Sequence, residues 1–165
     1  MTYDSIFLLD ANVFIEASRH YYAFDLNQTF WDILIKYAAN GQIKSIDKVK
    51  DELEKGEDQL ASWAQGQFHT AFESTDESNV FKCYAEIMTW VSNHERFYDS
   101  AKTEFADSPD GWLVACAMAK SYVVVTHEIP APFTKRNVKI PDVCQKFNVS
   151  YKNTFDMIRM LGEQI

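Results

Sequence analysis

The sequence predicts an α/β protein on two observations: continuous apolar runs of strand length, and helical segments that alternate with them. Ile6, Phe7, Leu8 and Leu9 form one such run, ending at Asp10. With no polar residue among them, they suit a strand buried on both faces, as in a parallel sheet. Asp10 then stands at the strand's carboxyl end, the edge of open α/β sheets where ligands bind. A second run, Tyr122 to Val125, ends at Thr126, His127 and Glu128, which puts a second polar cluster at a second strand end.

The elements between follow in order. From Asn27 to Asn40, Phe30, Ile33, Leu34, Tyr37 and Ala38 recur at helical spacing, and Gly41 supplies a stop. Ile43 to Ile46 is a short strand, and Asp47 is expected to cap a helix that carries Val49, Glu52 and Leu53 and ends at Gly56. Leu60, Trp63, Ala64 and Phe68 share one face of a further helix, and Val80, Tyr84, Ile87, Met88 and Val91 share another. Burial alone produces that spacing, so these aromatic residues are expected in the core rather than on a stacking platform. The next helix starts near Pro109, whose missing N–H suits a first turn, with Asp110 in that turn and Ala115, Ala117 and Ala119 permitting close approach to the sheet. Then come a short helix from Pro141, a brief strand from Val149 to Tyr151, and a terminal helix from Thr154 to Gly162 with Phe155, Ile158 and Leu161 inward. With 165 residues, no repeat and no linker, one domain spanning residues 1–165 is expected.

A hydrophobic content of 47% excludes a disordered chain, and only 5 Gly and 4 Pro exclude low complexity. No run approaches the roughly 20 apolar residues of a membrane span, and the N-terminal segment lacks a basic flank and a small-residue cleavage site. A soluble, cytoplasmic protein without a membrane partner is therefore expected. Cys83, Cys116 and Cys144 have neither a CxxC spacing nor an even count, and are expected to be reduced packing residues. The net charge of −8 argues at first against a nucleic-acid ligand. Between Lys120 and Lys152, however, six basic residues face two acidic ones, a local excess of +4 that leaves −12 for the remainder. A polyanion could meet that stretch.

Phosphate-cradling glycine loops, HExxH and the GxSxG elbow are all absent, which removes most support for nucleotide cofactors and serine hydrolysis. What remains is a set of acids at strand ends and helix starts: Asp10, Glu52, Asp110 and Glu128. Singly, each has an ordinary role as a cap, a solvated helix residue or a loop carboxylate. Gathered together they would repel, unless a hard divalent cation such as Mg²⁺ or Mn²⁺ lies between them. A site of that kind hydrolyses phosphodiesters.

The run from Asp110 through WLVACAMAK to the strand VVVT and its polar pair resembles the second half of the PIN domain. LLDANVFIE resembles that family's first strand, with Asp10 and a polar Asn12 two positions on, and VKDELEKG resembles the helix that supplies its Glu, here Glu52. The resemblance spans nearly the whole chain in order. It implies a three-layer α/β/α fold with a central, mostly parallel sheet of four to five strands. It also implies a metal-dependent endoribonuclease that holds Mg²⁺ or Mn²⁺ on Asp10, Glu52, Asp110 and Glu128 as catalytic and metal residues, with Asn12 and Thr126 orienting them. A metal-activated water would attack phosphorus, giving 5′-phosphate and 3′-hydroxyl ends. The family's last acid is usually Asp. Glu128 is one methylene longer, which leaves open direct contact with the metal, contact through water, or none.

KIPDVC and NTFDMIRMLG resemble a PIN-like branch found beside small regulatory genes, which implies the toxin of a toxin–antitoxin pair, with RNA as substrate and an antitoxin protein and a second copy as partners. Lys135, Arg136 and Lys139 follow the second strand end and are expected to contact substrate phosphates. Two alternatives stand beside this reading. One is a PIN-like module that binds without catalysis. The other is a haloacid dehalogenase-like phosphatase, which an apolar strand ending in Asp10 with Asn12 two residues later also resembles, but whose Asp-x-Asp-x-Thr pattern meets Phe14 here.

Overall fold

The computed structural model describes residues 5–165. Five strands form one sheet in the order β3-β2-β1-β4-β5, and every neighbouring pair is parallel. Strand β1 (Phe7–Leu9) is central and wholly buried, as its unbroken apolar run requires. It pairs with β2 (Ile43–Ile46) on one side and β4 (Val123–Val125) on the other, with Leu8 opposite Val124. The outer strands, β3 (Phe72–Glu73) and β5 (Tyr151–Lys152), are two residues long. Successive strands run outward from β1 to β3, after which the chain returns to the far side of β1 for β4 and β5. The strand order therefore reverses between β1 and β4, and a crevice opens there at the carboxyl ends of an α/β sheet.

Helices cover both faces. On one side lie α1 (Ala11–Glu16), continued by a π-helical turn Ala17–Tyr21, and α2 (Gln28–Ala39). They are joined by α3 (Asp47–Glu54) and α4 (Gln59–Gln65), which pack on each other. Their core is aromatic: Phe24 stacks on Trp31 at 4.1 Å, Trp63 on Phe68 at 4.7 Å, and Phe14 meets Phe68 edge-on at 5.5 Å. On the other side α5 (Ser78–Asn93), α6 (Asp99–Asp107), α7 (Asp110–Lys120) and α8 (Ile140–Lys146) form a second layer. There Tyr84 stacks on Trp112 at 3.7 Å. A Cβ on Gly111 would sit 3.1 Å from the Tyr84 and Phe105 rings, so the absence of a side chain permits this close contact. The last helix, α9 (Thr154–Met160), returns to the first layer, where the Tyr37 hydroxyl donates to Leu161 O at 3.2 Å. No described helix is long and apolar enough to cross a membrane, and the three cysteines are free.

The boundaries differ from expectation in instructive places. Asp47 is not the cap of α3 but its first residue, because extended Ile46 leads from β2 straight into the helix. The Asp47 carboxylate instead accepts the Thr75 N–H at 3.1 Å and its hydroxyl at 2.9 Å. Helix α4 ends at Gln65, and Phe68 reaches the same core from the turn beyond. Helix α8 begins at Ile140 rather than Pro141, which occupies the first turn. The last strand starts at Tyr151 rather than Val149. Phe155, expected inward, is 37% exposed, while Met157 and Ile158 fill that face of α9. Helix α6 and strand β3 were not anticipated, β3 being too short to carry a period, and α1 only as the helix that Asp10 would cap; Asp10 does stand at its N-cap, without a side-chain capping hydrogen bond.

Candidate active site

The sheet order brings Asp10 and Thr126 side by side. Asp10 follows β1, and its N–H still donates to Val125 O at 3.0 Å, so the residue remains in the ladder. Thr126 follows β4 and donates its own N–H to Lys152 O at 3.0 Å. Both side chains are 2% exposed. The Thr126 hydroxyl donates to Oδ2 of Asp10 at 3.0 Å and accepts the Glu128 N–H at 3.1 Å. Burial, then the charge of Glu128, pushes the Asp10 carboxyl up to about 7; the Thr126 bond and the nearby amides of Asn12 and Ala11 act against that rise. Asn12 itself is exposed on α1.

Asp110 opens α7, its N–H held by the Ser108 hydroxyl at 3.2 Å. It keeps some exposed surface, yet the protein packed around it dominates its electrostatics. Burial first, then Asp10, Glu128 and Glu52, raise its carboxyl to about 8, and only Lys139 opposes them. The other three acids singled out in the sequence therefore all act on this one group. Glu128 is directed by α8, whose first N–H, from Ile140, donates to Oε1 at 2.8 Å. Asp110, Glu128 and Lys139 line a narrow cleft of about 80 Å³. Glu52 is exposed and lines a neighbouring groove of about 270 Å³ with Lys48, Lys55 and Trp112, and the two cavities share Ser108.

The remaining residues divide. Lys139 is at the acids, whereas Lys135 and Arg136 are exposed on the preceding loop. That loop is fastened where Asp142 accepts the Ala131 N–H at 3.0 Å. Ser108, which positions Asp110 and borders both cavities, went unnoticed in the sequence; its place one turn before the helix was the available signal. Among the described residues no three Asp, Glu, His or Cys side chains form a ready metal cluster. The arrangement is a set of mutually repelling carboxylates, two of them largely enclosed, with one cation at the rim. Phe14, where the phosphatase pattern needs a Thr, is fully buried in the aromatic core.

A family model described as a domain of unknown function (DUF4411) matches residues 7–165. The chain belongs to that family. No curated protein matches the DUF4411 chain in sequence. Among solved structures it is similar to the crystal structure of VapBC2 from Rickettsia felis bound to a DNA fragment from their promoter. The TM-score is 0.54 at 16% identity, over 90% of this chain and 98% of that one. At that identity the likeness concerns the fold, and the DUF4411 chain has the PIN-like α/β fold, with a wholly parallel five-stranded sheet.

Proposed function

We propose that this protein is a metal-dependent endoribonuclease of the PIN type, the toxin of a toxin–antitoxin pair that acts in the cytoplasm. The observation that carries the reading is that Asp110, which lines one cleft with Glu128, has its carboxyl raised by burial and by Asp10, Glu128 and Glu52, beside the point where strand order reverses. Unbalanced carboxylates held together at such cost need a compensating cation. The donor set is all oxygen, which suits Mg²⁺ or Mn²⁺.

In this reading Asp10 and Asp110, with Glu128 and Glu52 beside them, would hold the cation. Bound there, it would supply an activated water and neutralise the departing 3′-oxygen. Thr126 keeps the Asp10 carboxylate turned toward the crevice, and the Ile140 N–H fixes Glu128. Lys139 meets the substrate phosphate, with Lys135 and Arg136 further along the strand. No side chain serves as a covalent nucleophile. The likeness to a VapBC complex supports an antitoxin as protein partner, and a second copy of the chain as another.

A second reading, a PIN-like module that binds without cutting, draws on the absence of a ready three-ligand cluster among the described residues. One experiment separates them: Mn²⁺-dependent cleavage of an RNA panel by wild type and Asp10→Asn. Cleavage that leaves 5′-phosphates and disappears in the variant and in chelator supports the nuclease. Equal activity of the two preparations, or none in either, overturns it.

A further inference from the structure

Next to the acids, and outside them, lies a group of aromatic rings drawn from three separate elements. Tyr21 ends the π-helical turn, His127 follows Thr126, and Phe155 stands on α9. Tyr21 is 57% exposed and Phe155 37%. Consecutive residues His127 and Glu128 make contacts on different elements: Glu128 with the first amide of α8, His127 with the Thr154 hydroxyl at 3.0 Å on α9. His127 is therefore one peptide unit from Glu128, and Tyr21 and Phe155 pack around it at ring-centroid distances of 5.9 and 6.2 Å.

We infer that Tyr21, His127 and Phe155 are a nucleobase platform for single-stranded RNA, seating a base beside the phosphate held at the acids. This rests on the ribonuclease reading and names how its substrate is gripped. Geometry carries the inference. Four pairs elsewhere are stacked face to face, among them Tyr84 on Trp112 at 3.7 Å, Phe24 on Trp31 at 4.1 Å and Tyr22 on Phe30 at 4.5 Å, and those rings have a face covered. In this group no pair is stacked. Tyr21 meets Phe155 edge-on (85°, 6.2 Å), and His127 is tilted by 39° to Tyr21 and by 56° to Phe155. Tyr21 and Phe155 are thus exposed and have no stacked partner, and such a ring is what a base stacks on.

Charge around the platform suits the same ligand. Arg19, two residues before Tyr21, and Lys152, paired with Val125 in the sheet, are exposed and have no ion-pair partner among the described residues. Acids are also close, Glu16 acting on His127 and Asp156 following Phe155, but Asp156 is paired with Arg159 and Glu16 lies 3.8 Å from His20, so Arg19 and Lys152 are left to neutralise a backbone while bases stack. Duplex RNA hides its base faces in its own stack and cannot use them.

The test is fluorescence anisotropy of the full chain in chelator, where no cutting occurs, with a labelled hexauridylate, an abasic ribose-phosphate chain of equal length, and a duplex. Wild type should prefer the base-bearing strand to the abasic one. Tyr21→Ala and Phe155→Ala should each weaken hexauridylate binding about five- to one-hundred-fold while leaving the abasic chain unchanged. Tyr21→Phe, which keeps the ring, should bind as wild type. Equal affinity of wild type for the base-bearing and abasic strands, alanine variants that bind as wild type, or no binding of hexauridylate overturns the platform. Ring-dependent binding by a protein that never cuts would refute the nuclease alone and leave the platform standing.

Discussion

The Thr126 hydroxyl donates to Oδ2 of Asp10 and accepts the N–H of Glu128, so one buried side chain joins the ends of β1 and β4 to the turn that carries the next acid. Thr126→Val keeps the shape and removes both bonds, leaving a buried carboxyl and a backbone N–H without that partner. The expected cost is about 1–3 kcal/mol in urea denaturation. The Asp10 pKa should rise further, because the Thr126 bond is among the contacts that hold it down. Thr126→Ser should recover most of the stability; a valine variant as stable as wild type would show that the bridge contributes nothing.

Asp110 makes stability depend on pH. Its carboxyl is raised from 3.8 to about 8 by burial and by Asp10, Glu128 and Glu52, and Asp10 is raised to about 7. A carboxyl whose folded pKa exceeds its unfolded value binds more protons in the native state throughout the interval between them, so stability falls as pH rises across it. In chelator the protein should therefore become less stable from about pH 4 to about pH 8 and then level off with respect to these groups. Asp110→Asn should flatten that decline and exceed wild type in stability near the top of the range, as read from denaturant midpoints. A wild-type curve flat across the range would remove the basis for the strained carboxylates.

The strands and helices that frame the crevice were legible because burial writes itself into the sequence. Phe7, Leu8 and Leu9, and likewise Val124 and Val125, are apolar on both faces because they are covered on both faces. Asp10 was legible as the end of an apolar run and Asp110 as an acid in the first turn of a helix that starts near Pro109. What escaped has a common cause, that the deciding contact comes from far along the chain. Asp47 resembles a cap, but its partner is Thr75, and nothing local announces that pairing. Phe155 has inward helical spacing, yet Met157 and Ile158 fill the core face while Phe155 turns toward Tyr21. The split between Lys139, at the acids, and Lys135 and Arg136, away from them, depends on how Asp142 and Glu128 fasten the loop and the start of α8.

On the proposed reading a cation would have to displace the protons on Asp10 and Asp110, so its effect should grow with pH. Mn²⁺ at fixed concentration should raise the melting temperature more near pH 8 than near pH 6, because binding releases protons and stabilises only the folded chain. Asp10→Asn and Asp110→Asn should each lose most of the shift, and chelator should abolish it in wild type. A shift of equal size at both pH values, or one retained in both variants, would place the ion elsewhere on the protein.

The basic loop gives a prediction that separates position from charge. Lys139 lines the cleft with Asp110 and Glu128, whereas Lys135 and Arg136 stand exposed before it. If all three neutralise phosphates of a single strand, each contributes about 0.7 to the slope of log K against log salt. The double variant Lys135→Gln, Arg136→Gln should therefore bind RNA with a slope shallower by about 1.4 while keeping its cleavage rate at saturating substrate. Lys139→Gln should lose about 0.7 of slope and also lower that rate, since it alone sits against the acids. The Asp110 carboxyl should then rise further, because Lys139 is the cation that opposes its elevation. Unchanged slopes in the double variant would take Lys135 and Arg136 out of the substrate path. A Lys139 variant with unchanged turnover would restrict that residue to binding.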